Sequence, residues 1–318
     1  MDAIFIDGLS FTLPLFIIAI GGIYSERSGV INLALEGMLG AGAFLGALSV
    51  VLWGDAFAGG QGAMYMAMLV AMLGGALCAM LHGLLCVKFK ANQVISGVVF
   101  NILAMALTGF FTSQINSSLF GKPSDRFQLG VSPRFDVPGL SDIPVAGALF
   151  KQMYPFELII IVVALIAWYV LYKSRYGLRL RACGDNPHAV DAAGADVSRI
   201  RFSAVMVSGA LAGLGGMCFA YSISANFSSS IYAGFGYLSI AAMIFGNWKI
   251  FPTLGACLLF GFARSGGYRL AQVLELSSTF SDLIMILPYL LTLLLLIFFS
   301  KTNRSPRALG EIYDKGKR

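Results

Sequence analysis

The feature that most limits what this chain can fold into is a succession of apolar runs. Each is close to the roughly 20 residues that an α-helix needs to cross a bilayer. They fall near Leu9–Ile23, Val30–Trp53, Ala63–Val87, Val94–Ile115, Tyr154–Tyr172 and Phe202–Ala225, with a last one at Asp282–Ser300. Two shorter runs, Tyr237–Gly246 and Thr253–Ala263, flank the sequence NWKIFP. Trp248 and Lys249 prefer a membrane interface to hydrocarbon, so the short runs read as two crossings rather than one re-entrant hairpin. Composition agrees: 58% hydrophobic and 12% charged residues, at a mean hydropathy of +0.79, exclude an ordinary soluble domain. The expectation is an all-α polytopic membrane bundle of nine spans, two of them short. It forms one transmembrane domain over 1–300, followed by a basic cytoplasmic tail at 301–318.

Charge sets the orientation. With the polar stretch 173–201 and the tail inside, sixteen of the 22 Lys and Arg are inside. Lys122, Arg126, Arg134, Lys151, Arg264 and Arg269 are left outside. This positive-inside bias puts the N-terminus out and the C-terminus in. The net charge of +6 is thereby a topology signal and gives no support for nucleic-acid binding. The acidic start MDAIFIDGLS lacks a basic n-region, so no cleaved signal peptide is expected. Cys78, Cys86, Cys183, Cys218 and Cys257 fall in spans or cytoplasmic loop and read as packing residues, with neither disulfide nor metal spacing.

The basic island 173–201 separates two spans, and its centre, GDNPHAVDAAGA, carries helix punctuation. Asn186 suits the N-cap, Pro187 the first helical position, His188–Ala193 about two turns, and Gly194 the residue past the end. A short capped helix at a cytoplasmic mouth is a docking shape. Small residues at four-residue spacing, Gly42 and Gly46, Ala71 and Gly75, Gly209 and Gly213, predict closely approaching helices.

Glu36 is the one acidic side chain well inside a predicted span, nine residues past Arg27 and so about 13 Å along a regular helix. A charge there must face protein or water. Asn32 falls one turn earlier on the same helical face. Asn32 and Glu36, with Ser96 and Asn101 as weaker candidates, either line a translocation path or lock the bundle by hydrogen bonds. His82 reads as a packing histidine. The external segment 116–153, punctuated by Pro123, Pro133, Pro138 and Pro144, is long enough for a docking surface or a lid.

Missing chemistry is informative too. The chain has no G-x-x-x-x-G-K-[ST] loop, no H-E-x-x-H pair and no G-x-S-x-G elbow, so it reads as a non-catalytic transport subunit. A self-sufficient ion-coupled carrier using Glu36 remains the alternative from another class.

Several motifs resemble one family in order along nearly the whole chain. SERSGVINLALEGMLGAGAF (25–44) resembles the second-span signature of ABC-type importer permeases of the branched-chain amino acid and simple-sugar class. PGLSDIPVAGALF (138–150) and GDNPHAVDAAGADVSRIR (184–201) resemble the external loop and coupling helix of its nucleoside-uptake branch. SGALAGLGGM (208–217) resembles the span after that branch's coupling helix, and 236–266 its late pair of short helices, although Trp248 and Lys249 replace smaller loop residues.

The resemblance implies half of a translocation pathway in the cytoplasmic (inner) membrane of a bacterium, for nucleosides or, alternatively, a ribose-like sugar. It implies three partners: a cytoplasmic ABC ATPase, a second related permease subunit, and an external substrate-binding lipoprotein. This chain resembles the shorter permease of the pair, lacking a long N-terminal extension. ATP and Mg2+ would be used by the ATPase, with no cofactor on this chain. Coupling would run through Gly184, Asp185, Asn186, Pro187, Ala189, Ala192, Ala193 and Gly194.

Overall fold

The computed structural model describes residues 2–57, 60–139, 141, 147, 150–230, 232–275, 286, 288–290, 294, 297 and 304–315. The helices are α1 (Asp2–Arg27), α2 (Leu35–Trp53), α3 (Gly60–Gly83), α4 (Gln93–Phe120) and α5 (Pro155–Lys173). The short α6 (Arg175–Asp185) and α7 (Pro187–Ala192) come next, then α8 (Val197–Ile223), α9 (Phe235–Phe245) and α10 (Ile250–Val273). A single π-turn, Leu84–Lys88, prolongs α3. Six of the described helices are long and apolar enough to cross a membrane. The expected span Asp282–Ser300 lies largely outside the described residues.

α1, α2 and α8 form the centre, mostly buried along their lengths, and α3, α4 and α5 are peripheral. Glycine placement explains the closeness of the middle. A Cβ on Gly42 would stand 2.5 Å from the Cα of Gly213, one on Gly213 would meet the Ala71 carbonyl, and one on Gly75 the Gly209 carbonyl. The small-residue pairs of α2, α3 and α8 thus meet one another, as close packing in lipid requires. The outer face of α3 carries Leu69, Leu73 and Leu77 at i, i+4 spacing, each at least 59% exposed, which suits hydrocarbon.

Two long stretches of the middle are not helical. The run expected to be helical from Val30 begins its helix only at Leu35. Its main chain is claimed from outside: Ile31 N donates to Gln93 Oε1 (2.7 Å), and Leu33 O accepts from Asn101 Nδ2 (2.7 Å). Non-helical backbone inside a membrane protein survives where such side chains satisfy it. Asn101 is eight residues into α4, about 12 Å along it, so α2 starts well inside the bundle. On the far side, 224–230 and 232–234 are also non-helical. The first of these contains β2 (Asn226–Ser228), paired antiparallel with β1 (Arg126–Gln128), a small departure from an all-α architecture. Phe127 and Phe227 are fully buried there, against Phe44.

One further expectation changes. Glu36 is not the sole acidic residue inside: Glu157 accepts from Ser10 Oγ (2.7 Å) and Glu26 from the Trp248 indole (2.6 Å), both buried. The apolar runs do not announce them, because α1 runs on past Ile23 and Glu157 occupies the first turn of α5. Trp248 is buried within the protein, held by Glu26 and by Arg27 Nε on its carbonyl (3.0 Å). Asn247 and Trp248 both take positive φ (51° and 53°), which turns α9 sharply into α10. Between Gly121 and Tyr154 the described residues hold no α-helix, in keeping with the prolines. The cysteines are free, and all but Cys78 are buried.

Candidate coupling and translocation sites

α7 is built by local chemistry. Asn186 Oδ1 accepts from Ala189 N (3.1 Å), Pro187 opens the helix, and Gly194 takes φ +78°. Gly194 N returns to Asp191 O (2.8 Å) and Ala195 N to Val190 O (3.1 Å), which closes the C-terminus. Pro187 and Val190 are buried, so the helix is seated on the bundle, while Asp185, Asn186, His188, Ala189, Ala192, Ala193 and Gly194 are exposed. Gly184 is buried, and a Cβ there would collide with the Arg27 carbonyl. Apart from His188, the outward face of α7 is therefore made of small side chains. A cleft lies at each end of it. One of about 820 Å3 includes Lys88, Lys90, Asp191, Arg199, Phe202 and Lys315 in its walls. The other, about 720 Å3, includes Arg27, Asp185, Asn186, Lys249, Arg304 and Arg307.

In mid-bundle, Glu36 holds the N-terminus of α9. Its Oε1 accepts from Gly234 N (2.5 Å) and its Oε2 from Gly236 N (2.6 Å). The first turn of a helix offers free N–H groups and the positive end of its dipole, so a carboxylate is favoured there. Gly234 adopts φ +96°, and a Cβ on Gly236 would stand 2.5 Å from the Cα of Glu36. Asn101 ties the same junction together: Oδ1 accepts from Gly37 N (2.8 Å), and Nδ2 donates to the Tyr237 hydroxyl (2.9 Å) as well as to Leu33 O.

Glu36 and Asn101 are thus brought together, and Asn32 and Ser96 are not part of that contact. Asn32 precedes the helix instead of lying one turn earlier on its face, and its Nδ2 donates to Ser208 Oγ of α8 (2.9 Å). Ser96 pairs with His82 Nδ1 (2.9 Å), while His82 Nε2 lies 3.4 Å from Ile31 O, so the histidine packs against the non-helical segment.

A row of polar side chains reaches the surface beside the junction. Glu36 is half-buried, Tyr237 is 46% and Tyr289 36% exposed, and the half-buried Arg264 guanidinium lies 4.4 Å above the Phe11 ring. Arg264 also borders a cavity of about 400 Å3 with Asp7, Ser10, Arg134 and Tyr268, at the end of the bundle away from α7. Among the described residues, no group of three His, Cys, Asp or Glu could hold a metal.

The sequence profile of the family described as branched-chain amino acid transport system / permease component matches residues 4–296. The chain belongs to that permease family. The chain is 38% identical to the guanosine ABC transporter permease protein NupQ of Bacillus subtilis over 315 residues, 98% of this chain and 96% of that protein. It is 38% identical to the nucleoside ABC transporter permease protein NupC of Lactococcus lactis over 312 residues, 97% of this chain and 96% of that protein. A more distant relative, the guanosine ABC transporter permease protein NupP of Bacillus subtilis, is 27% identical over 248 residues, 75% of this chain and 66% of that protein. No solved structure matches. As a member of the family this permease is a multi-pass transport subunit and not itself a catalyst.

Sequence reasoning missed the partners of Glu36 and the row from Arg264 to Tyr237. The signal for the first was present as AGFG at 233–236, where two glycines open a short apolar run with no capping side chain of their own. An arginine between two apolar stretches, Arg264, was the signal for the second.

Proposed function

We propose that this permease forms half of the translocation pathway of a bacterial nucleoside importer and is driven by a separate ABC ATPase seated on α7. The observation that carries the reading is the capped α7 lying between two clefts, in a chain similar over nearly its whole length to nucleoside permeases. The exposed Ala189, Ala192 and Ala193 offer little chemistry of their own; they make a shape to be gripped and moved. The ATPase supplies ATP and Mg2+ chemistry from outside the chain. The second half of the pathway is a related permease, as the likeness to NupP supports, and an external binding lipoprotein delivers substrate to the end that carries Arg264.

In this reading the bundle has nine spans, with α9 and α10 crossing separately, and lies in the inner membrane with its N-terminus out and α7 inside. The row Arg264, Tyr289, Glu36 and Tyr237 faces the pathway, because polar groups at that depth need water or protein. Both Glu36 oxygens already accept backbone N–H groups, which favours a gate-holding role over coupling to an ion.

Reconstituting the chain with its second permease and ATPase in liposomes, then adding nucleosides or ribose with the binding protein, tests the reading. Nucleoside-stimulated ATP hydrolysis is expected. An ATPase that never associates with the chain, or stimulation by ribose alone, would sink it.

A further inference from the structure

Residues 304–315, expected only as a basic tail, are docked across the α7 end of the bundle. Ala308 N donates to Gly184 O (2.8 Å) and Gly310 N to Gly29 O (3.0 Å). Gly310 takes φ +81°, and a Cβ there would stand 2.9 Å from Ile31 Cδ1. The segment also reaches α7 itself: Lys315 Nζ lies 3.6 Å from Asp191, and the Tyr313 ring centroid is 5.4 Å from that of His188. It therefore touches both α7 and the start of the non-helical segment 28–34.

Arg201, in the first turns of α8, sits where these pieces meet. It is 3% exposed, yet its hydrogen-bond acceptors are main-chain carbonyls: Ser28 O for Nε (3.1 Å) and Glu311 O for Nη1 (2.7 Å). Its Nη2 has no hydrogen-bond partner among the described residues. A Cβ on Gly29, itself at φ +96°, would stand 2.6 Å from that nitrogen. A buried guanidinium served by neutral carbonyls is expensive and contributes little net stability. What it does accomplish is geometric: one rigid fork fixes α8, the 28–34 segment and the tail relative to one another. From Ser28 the chain runs only eight residues to Glu36.

We propose that the strap 304–315 and Arg201 are positioning elements that pass a displacement of α7 into the 28–34 segment and thence to the Glu36–α9 junction. The inference rests on α7 being the ATPase dock, so its test has two arms.

In the first arm, hydrogen exchange is followed on the purified chain alone, wild type against Arg201→Lys and Gly310→Val. Losing one charge-assisted hydrogen bond should speed exchange at Ala308, Gly310 and residues 28–31 by about ten-fold. Unchanged exchange in both variants would overturn the strap whatever the ATPase does.

The second arm uses the assembled transporter. Both variants should retain the ATPase and its basal hydrolysis, while substrate stimulation and uptake fall by about ten-fold, the same loss of linkage read as rate. Gly310→Val changes a tail residue whose new side chain meets only the end of the Ile31 side chain, so the helices themselves still pack. Wild-type stimulation and uptake with a loosened strap would refute transmission, and loss of ATPase binding would make the segment a dock instead of a strap. If the wild-type chain binds no ATPase, it is the α7 reading that fails, and the exchange arm still decides the strap.

Discussion

Removing the Glu36 carboxylate should uncouple the two helix starts that meet in mid-bundle. Its oxygens accept from Gly234 N at 2.5 Å and Gly236 N at 2.6 Å, and neither amide has another acceptor within its helix, since the first N–H groups of α9 have no turn before them. A hydrogen bond to a charged group contributes about 1.5–3 kcal/mol net, so Glu36→Ala should cost about 3–6 kcal/mol. Glu36→Gln keeps one acceptor oxygen without the charge and should cost roughly half of that. With about 2 °C per kcal/mol for a chain of this size, Glu36→Ala lowers the melting temperature in detergent by about 6–12 °C. Scanning fluorimetry of the three proteins, alongside uptake in liposomes, gives the order wild type, Gln, Ala. If Glu36→Ala melts with wild type, the carboxylate is not holding α9. If it melts early but transports normally, the junction is structural and has no part in gating.

Gly75→Val should prevent accumulation of folded protein, because its side chain meets the Gly209 carbonyl where α3 crosses α8; normal yield in membranes would show that the helices can separate. Asn186→Ala removes the cap of α7 and should cost about 1 kcal/mol locally, seen as faster exchange at Ala189 with little change in overall melting. Cys183, buried in α6, has its thiol pushed up to about 11 by that burial, with the Arg201 guanidinium pulling the other way. It should therefore resist maleimide at pH 7–8 in the folded chain and react on denaturation; rapid native labelling would mean that α6 is not packed against the bundle.

What could be read from the sequence was what local chemistry decides. Asn186, Pro187 and Gly194 act within one short helix, so α7 was legible to within a residue. The small pairs of α2, α3 and α8 were legible for a related reason: close approach in lipid needs absent side chains, and glycines declare themselves. Glu36 stood out as a charge among apolar residues, but its role did not, because Gly234 and Gly236 lie about two hundred positions away. The start of α2 was misjudged on the same account. VINLAL is apolar enough to be helical, and only Gln93 and Asn101, from α4, draw its main chain out of a helix. The tail was read as mere charge since its bonds run through backbone atoms, which composition does not reveal.

The two-stranded ribbon ties the far side of the molecule to the same point. Arg126 is opposite Ser228, and six residues beyond Ser228 comes Gly234, whose amide Glu36 holds. β1, in the loop between α4 and α5, is thus joined through β2 to the stretch that carries that amide, while the proposed route from α7 reaches the carboxylate from the other direction. In the proposed orientation one carboxylate would answer to both faces of the membrane. A transporter wired this way can withhold passage until an arrival outside and a stroke inside agree, with no messenger between them but the chain itself.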